Sequence, residues 1–140
     1  MIVGYTTGVF DLFHVGHLNI LRRAKERCDY LIVGVTVDEL VVYKGKRAFI
    51  PYEERRAIVE AIKYVDKVVP QTSMDKMEAW KKYHFDRMFV GDDWKGTEIW
   101  NRWEREFAKV GVEIIYFPYT TETSSTQLRE ALENLNGKKQ

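Results

Sequence analysis

Residues 1–37 read MIVGYTTGVFDLFHVGHLNILRRAKERCDYLIVGVTV, and the order of patterns within them decides the fold. MIVGYTT is a short apolar run suited to a buried strand. VGHLNILRRAKERC sets Leu18, Leu21, Ala24 and Cys28 on one helical stripe with charged residues opposite. YLIVGVTV is almost unbroken apolar and β-branched sequence, as expected of a strand covered on both faces. A strand, a helix and a second buried strand in that order make a crossover unit with parallel strands and a right-handed connection.

The alternation continues along the chain. PYEERRAIVEAIKYV opens a helix, with Pro51 suited to the first helical position and Glu53 and Glu54 near the positive end of the dipole. KVVP is a short strand, MDKMEAWKKY a helix, RMFVG a strand and EIWNRWEREFAKV a helix ending near Gly111. VEIIYF and SSTQLREALENL supply the last strand and helix. The pattern predicts one domain over residues 1–132, built as a three-layer α/β/α sandwich around a five-stranded, mostly parallel sheet. Residues 133–140 read as a frayed tail. Residues 38–50 show no period and carry Lys44, Lys46 and Arg47 around Gly45, which suggests a functional loop.

A chain of 140 residues with a hydrophobic fraction of 45% can bury a core without staples. Its 22 basic and 21 acidic residues leave a net charge of +1, so no global field marks a partner for nucleic acid or an anionic membrane. Any anion site must come from local charge. Cys28 is the single cysteine, which excludes an internal disulfide and a cysteine-based zinc cluster; it reads as an inert core thiol. The first residues lack the basic and apolar regions of a secretory signal, and no apolar run approaches the ~20 residues of a membrane span. The cytoplasm is the expected compartment.

In open parallel sheets, ligands bind beyond the carboxyl ends of the strands, near a reversal of strand order. The unusual polar clusters fall at such ends. TTGVFDLFHVGH follows the first strand, DELVVYKGKR the second, GDDWKG the fourth and TTETSST the fifth. In the first cluster Gly8 permits a tight turn, Gly16 keeps the helix entrance open, and His14 and His17 stand three residues apart at the helix start. Backbone N–H groups and the positive dipole end attract phosphate there. Two other readings stay open: a zinc pair, although no third ligand is clear, or one capping and one packing histidine. Asp92 and Asp93 suit a turn, and with Trp94 and Gly96 they suit a binding loop. Arg55 fits either a site or a solvated helix face; Arg56 and His84 read as surface, and Trp80, Trp100 and Trp103 as packing or dimer-surface aromatics.

GVFDLFHVGH resembles the H-x-G-H signature of the cytidylyltransferases, within the wider nucleotidyltransferase superfamily. The likeness extends through YKGKRAFIPYEERRAIVEAIKYVDKVV and MFVGDDWKG and covers roughly residues 3–130. It is strongest to the bacterial glycerol-3-phosphate cytidylyltransferases, small cytoplasmic homodimers that make CDP-glycerol from CTP and glycerol 3-phosphate. The resemblance implies a Rossmann-like fold, with His14 and His17 on the CTP phosphates as catalytic groups. Gly8, Val9, Phe10, Asp11 and Gly16 would form the nucleotide loop. Lys44 and Lys46 would bring charge to the triphosphate and acceptor phosphate, with Arg55 and Lys63 adding charge from the next helix. Asp92, Asp93 and Trp94 would lie near the nucleoside or acceptor, and Ser124, Ser125 and Thr126 would cap the last helix and donate to phosphate. Magnesium would bind mainly through the CTP phosphates, without a dedicated protein cage. The implied partners are CTP, a small phosphorylated alcohol and a second copy of the chain, with no nucleic acid and no membrane.

One stretch departs from that family. Relatives usually read R-T-E-G-I-S-T where this chain reads YTTETSST, so Tyr119, Thr121 and Glu122 replace an arginine, a glutamate and a glycine. A cation expected near phosphate is lost, and Arg129, one turn into the following helix, is a candidate replacement of undetermined direction. The expected chemistry is direct in-line attack by an acceptor phosphate oxygen on the α-phosphorus of CTP. Use of ATP, a different phosphorylated alcohol, or CTP binding without turnover are the alternatives.

Overall fold

The computed structural model describes residues 1–43, 45–118 and 125–138. Strands and helices alternate through them as β1 (Val3–Gly8), α1 (Val15–Glu26), β2 (Tyr30–Thr36), α2 (Asp38–Tyr43), α3 (Tyr52–Glu60), β3 (Lys67–Gln71), α4 (Lys76–Tyr83), β4 (Arg87–Gly91), α5 (Glu98–Ala108), β5 (Glu113–Phe117) and α6 (Ser125–Lys138). A 3₁₀ turn, Asp92–Trp94, follows β4. The strands form one sheet in the order β3-β2-β1-β4-β5, and every neighbouring pair is parallel.

Successive strand residues face opposite sides, so each strand feeds two cores. Leu31, Val33 and Val35 of β2 pack with Leu21 and Ala24 of α1 and Val59 of α3. Ile32 faces the other way, with Tyr5, Val69 and Met88, against Trp100 and Phe107 of α5. Trp80 and Trp103 pack at the edge of that second core, so the tryptophans serve helix packing. Cys28 packs beside the first core with its Sγ 3.3 Å from the Ala24 carbonyl, and burial pushes its thiol pKa up. Gly4 is required by proximity: a Cβ there would fall 2.5 Å from the Phe89 ring and 2.8 Å from Cys28 Sγ.

The feature that positions the site lies between β1 and β4. β1 pairs with β2 from Val3 to Gly8, but with β4 only at Gly4–Arg87 and Tyr5–Met88. The Thr6 hydroxyl then donates to the Phe89 carbonyl at 3.0 Å, and the ladder stops. Strand order reverses at this pair, so the sheet opens a crevice toward its carboxyl ends.

Several boundaries differ from the sequence reading. Residues 38–43 form α2 instead of loop, with Asp38 and Glu39 at its start and Leu40 and Val41 buried beneath it. Pro51 is the residue before the first turn of α3, not within it, and α3 stops at Glu60. α6 continues to Lys138, so the segment expected to fray beyond 132 is helical over 133–138. Among the described residues no helix is long and apolar enough to cross a membrane.

Candidate active site

His14 and His17 form a reciprocal capping box at the start of α1. The Gly16 amide donates to His14 Nδ1 at 3.0 Å, and the His14 amide donates to His17 Nδ1 at 3.3 Å. Histidines thus take the places usually held by a serine or threonine and a glutamate. With Nδ1 of each neutral ring accepting, the proton resides on Nε2, which makes each ring a donor. The ring centroids are 4.0 Å apart, so the two donors share one locus. Burial lowers the pKa of both; for His17, burial first and then the His14 neighbour bring it down to about 4. Both rings are therefore neutral near pH 7. No acidic residue lies in the first turn of α1, so that turn's own side chains do not offset the positive end of its dipole. The capping reading and the phosphate reading describe the same geometry.

The loop between β1 and α1 is shaped by strain and burial. Phe10 and Leu12 have φ of 55° and 51°, in the left-handed region that side chains rarely adopt. A Cβ on Gly8 would fall 2.9 Å from the Phe10 ring, so glycine lets that ring fold back over the strand end. Phe10 is buried in the core and meets the His17 ring edge-on at 5.4 Å. Its ring braces the histidine from the core side.

Asp11 and Arg55 have roles other than direct substrate contact. The buried Asp11 carboxylate accepts from the Phe49 and Ile50 amides, both at 2.9 Å, and from Arg129 at 3.1 Å. It anchors the basic loop and α6 to the histidine loop. Arg55 is 1% exposed. Its guanidinium donates to the carbonyls of Ile50, Val9 and Thr36 at 2.7–2.8 Å and pairs with Asp38 at 2.6 Å. A fork so engaged is a clamp on the loops, not a substrate cation. Its neighbour Arg56 is exposed and pairs with Glu60, as a solvated helix face should.

The remaining candidates divide by position. Lys46 lines a cavity of about 980 Å³ together with Arg47, Phe49, Arg129, Glu130 and Glu133. Arg129 therefore points toward the site, and its charge contributes to lowering the His17 pKa. Gly16 is buried in the cap, Val9 is held through its carbonyl, and Asp92, Asp93 and Trp94 form the exposed 3₁₀ turn at the carboxyl end of β4. Lys63 is not brought to this rim. It follows α3 and precedes β3, beside Asp66, whose carboxylate accepts from Leu31 near the amino end of β2. Lys44 and Ser124 lie outside the described residues, as do Tyr119, Thr121, Glu122 and the side chains of Ser125 and Thr126. The sequence reading missed Lys76, which the start of α4 carries to Thr7.

A doubly wound parallel sheet, open at its switch point and faced there by paired neutral histidine donors on a helix N-terminus, defines a phosphate-handling α/β protein of the nucleotidyltransferase class. Residues 5–131 match the family described as Cytidylyltransferase-like, and the chain belongs to that family. It is 40% identical over 131 residues to a glycerol-3-phosphate cytidylyltransferase of Bacillus spizizenii, covering 93% of this chain and 96% of that one. It is 37% identical over 109 residues to an FAD synthase of Archaeoglobus fulgidus, covering 78% and 79%. Among solved structures, a lipopolysaccharide core biosynthesis protein from Thermoplasma volcanium superposes with a TM-score of 0.73 at 27% identity, over 88% of this chain and 99% of that one.

Proposed function

We propose that this chain transfers CMP from CTP to glycerol 3-phosphate, giving CDP-glycerol and pyrophosphate. The observation that carries the reading is the locus shared by His14 and His17, two oriented Nε2–H donors at a helix N-terminus whose first turn carries no acid. The bacterial relatives named for that reaction, aligned over nearly the whole chain, support the choice of nucleotide and acceptor.

The acceptor phosphate is already a nucleophile, so no covalent enzyme intermediate is needed. An acceptor oxygen bonds to the α-phosphorus as the bond to the bridging oxygen breaks, and pyrophosphate leaves with the electron pair. Negative charge grows on the α-phosphoryl and bridging oxygens, where the two rings donate. Fixed donors aimed at developing charge stabilise a transition state without reorganising. Lys46, Arg47 and Arg129 neutralise the phosphates from the adjoining cavity.

Magnesium fits this arrangement as a passenger of the nucleotide. Asp11 accepts two amides and an arginine, an environment built for a buried anion instead of a metal ligand. The ion would be held by the triphosphate oxygens and water, where it offsets their charge.

Pyrophosphate release tests the reading, with CTP and ATP each paired with glycerol 3-phosphate, ribitol 5-phosphate, phosphocholine and phosphoethanolamine. Release with CTP and glycerol 3-phosphate is expected. Release only with ATP would make the chain an adenylyltransferase instead, and release with none would leave a nucleotide-binding protein. We further propose a cytoplasmic homodimer; light scattering should then give a mass near twice 16.6 kDa.

A further inference from the structure

The Asp92–Trp94 turn stands on the β4 side of the crevice, beyond the point where the β1–β4 ladder has ended. That ladder stops at Tyr5–Met88, whereas β4 stays paired with β5 up to Gly91–Phe117. Support reaches the turn from the β5 side. The Lys95 amide donates to the Asp92 carbonyl at 3.1 Å, and Lys95 Nζ lies 5.8 Å from the centroid of the Tyr116 ring on β5. That ring is itself fixed twice from α5. The Tyr116 hydroxyl donates to Glu104 at 2.5 Å, and Trp100, one helical turn before Glu104, meets the ring edge-on at 6.5 Å. Burial first, and then the Glu104 carboxylate, raise the Tyr116 pKa, so the phenol keeps its proton and stays the donor. Donation to a carboxylate enriches the ring, whose negative face attracts a cation.

The chemistry of the turn selects the part of a ligand it suits. Asp92, Asp93 and Trp94 are exposed, two carboxylates beside an indole. Carboxylates repel phosphate and accept from sugar hydroxyls, and an indole offers its face to a base. Phosphate suits the histidines and the cavity of Lys46, Arg47 and Arg129, where the donors and cations are. The turn matches the nucleoside end of a nucleotide. A short exposed turn contributes most affinity when its geometry is set beforehand, because ordering it on binding costs affinity.

We propose that Glu104, Tyr116 and Lys95 are positioning residues for the nucleoside of the substrate. Glu104 and Trp100 set the Tyr116 ring, the ring holds the Lys95 ammonium, and Lys95 fixes the turn that meets sugar and base. The assignment rests on the nucleotidyl-transfer reading above. None of the three residues touches the reacting atoms, and Lys95 is not a phosphate cation, because its charge is engaged by the ring.

Lys95 and Glu104 are exposed, so Lys95→Met and Glu104→Ala leave the fold intact. Calorimetric titration with CTP and with inorganic triphosphate separates the two ends of the ligand. Lys95→Met, Tyr116→Phe and Glu104→Ala should each bind CTP about two- to fivefold more weakly than wild type, with inorganic triphosphate unchanged. Lys95→Arg keeps a cation over the ring and should bind CTP as wild type does. Glu104→Ala is the sharpest case. Removing a negative charge by itself strengthens the binding of an anion, whereas loss of the support weakens it. The double variant Tyr116→Phe with Glu104→Ala should be no weaker than either single one. With CTP and glycerol 3-phosphate, the loss should appear in KM for CTP and not in KM for glycerol 3-phosphate. If wild type binds CTP but releases no pyrophosphate, weaker binding by the variants still upholds the positioning role, and the transfer reading alone falls. Unchanged or tighter CTP binding by Glu104→Ala, an equal loss with inorganic triphosphate, or no CTP binding by wild type overturns the proposal.

Discussion

At the scale of single residues, His17 carries the sharpest consequences. Its Nδ1 accepts the His14 amide and its ring is braced by Phe10 and Phe13, so its donor direction is fixed by the cap itself. His17→Ala should therefore lower turnover by ~10²–10³, the usual cost of losing one oriented donor at developing charge. It should also destabilise the fold by ~0.5–2 kcal/mol through the lost cap. A well-folded variant with near-normal pyrophosphate release would contradict the catalytic role. The same ring predicts a pH dependence of stability. Its pKa is about 4 in the native protein against an ordinary 6.5. Between those values the unfolded chain binds a proton that the native ring refuses, so stability is full above pH 6.5 and falls as pH drops toward 4. The urea midpoint should decline across that window, and His17→Gln should flatten part of the decline, leaving the share of His14. The pair was legible in the sequence because histidines are scarce and these two flank a strand-to-helix junction. That they cap each other was not, since a capping box is normally read from serine, threonine and glutamate.

At the scale of elements, Arg55 shows where residue type misleads. EERR leaves Arg55 open between a site and a solvated face, and a 100° step per residue turns Arg56 outward to Glu60 and Arg55 inward beneath the loops. There it joins the ends of β1 and β2, the start of α2 and the entrance of α3. Arg55→Lys should cost on the order of 3 kcal/mol, because one ammonium cannot replace a planar fork donating in three directions. Asp38→Asn should cost clearly less, since the Asp38 carboxylate is 46% exposed and water can take its place. Urea denaturation of both variants checks the order; equal losses would mean that the ion pair, not the backbone clamp, matters. Strands were legible for a related reason. A sheet covered on both faces demands apolar runs, and β2 supplies seven residues of one. α2 was not, because six residues make less than two turns and show no period. Lys63 was misplaced because sequence shows proximity to α3 but not that the chain has by then reached the amino edge of the sheet.

At the scale of the whole molecule, the site depends on contacts between segments far apart in sequence. Asp11 and Arg129 are separated by 118 positions, and their pair joins the histidine loop to α6. Arg129, the candidate replacement for the cation that the sequence lacks at position 119, lines the cavity with Lys46 and Arg47 while bonding the buried Asp11 carboxylate. Spacing alone could not reveal this, because the direction of a side chain on the last helix depends on how that helix docks. If the pair fixes α6, then Asp11→Asn and Arg129→Met should not add. Each single variant should lose ~1–3 kcal/mol, the range for hydrogen bonds to charged groups, and the double variant should lose less than the sum. Asp11→Asn should be the worse of the two, because an amide in place of the second oxygen turns an NH₂ toward a donor, either the Ile50 amide or the Phe49 amide and Arg129. Additive losses in a double-mutant cycle would show that α6 is held elsewhere, and that the arginine faces the cavity without organising it.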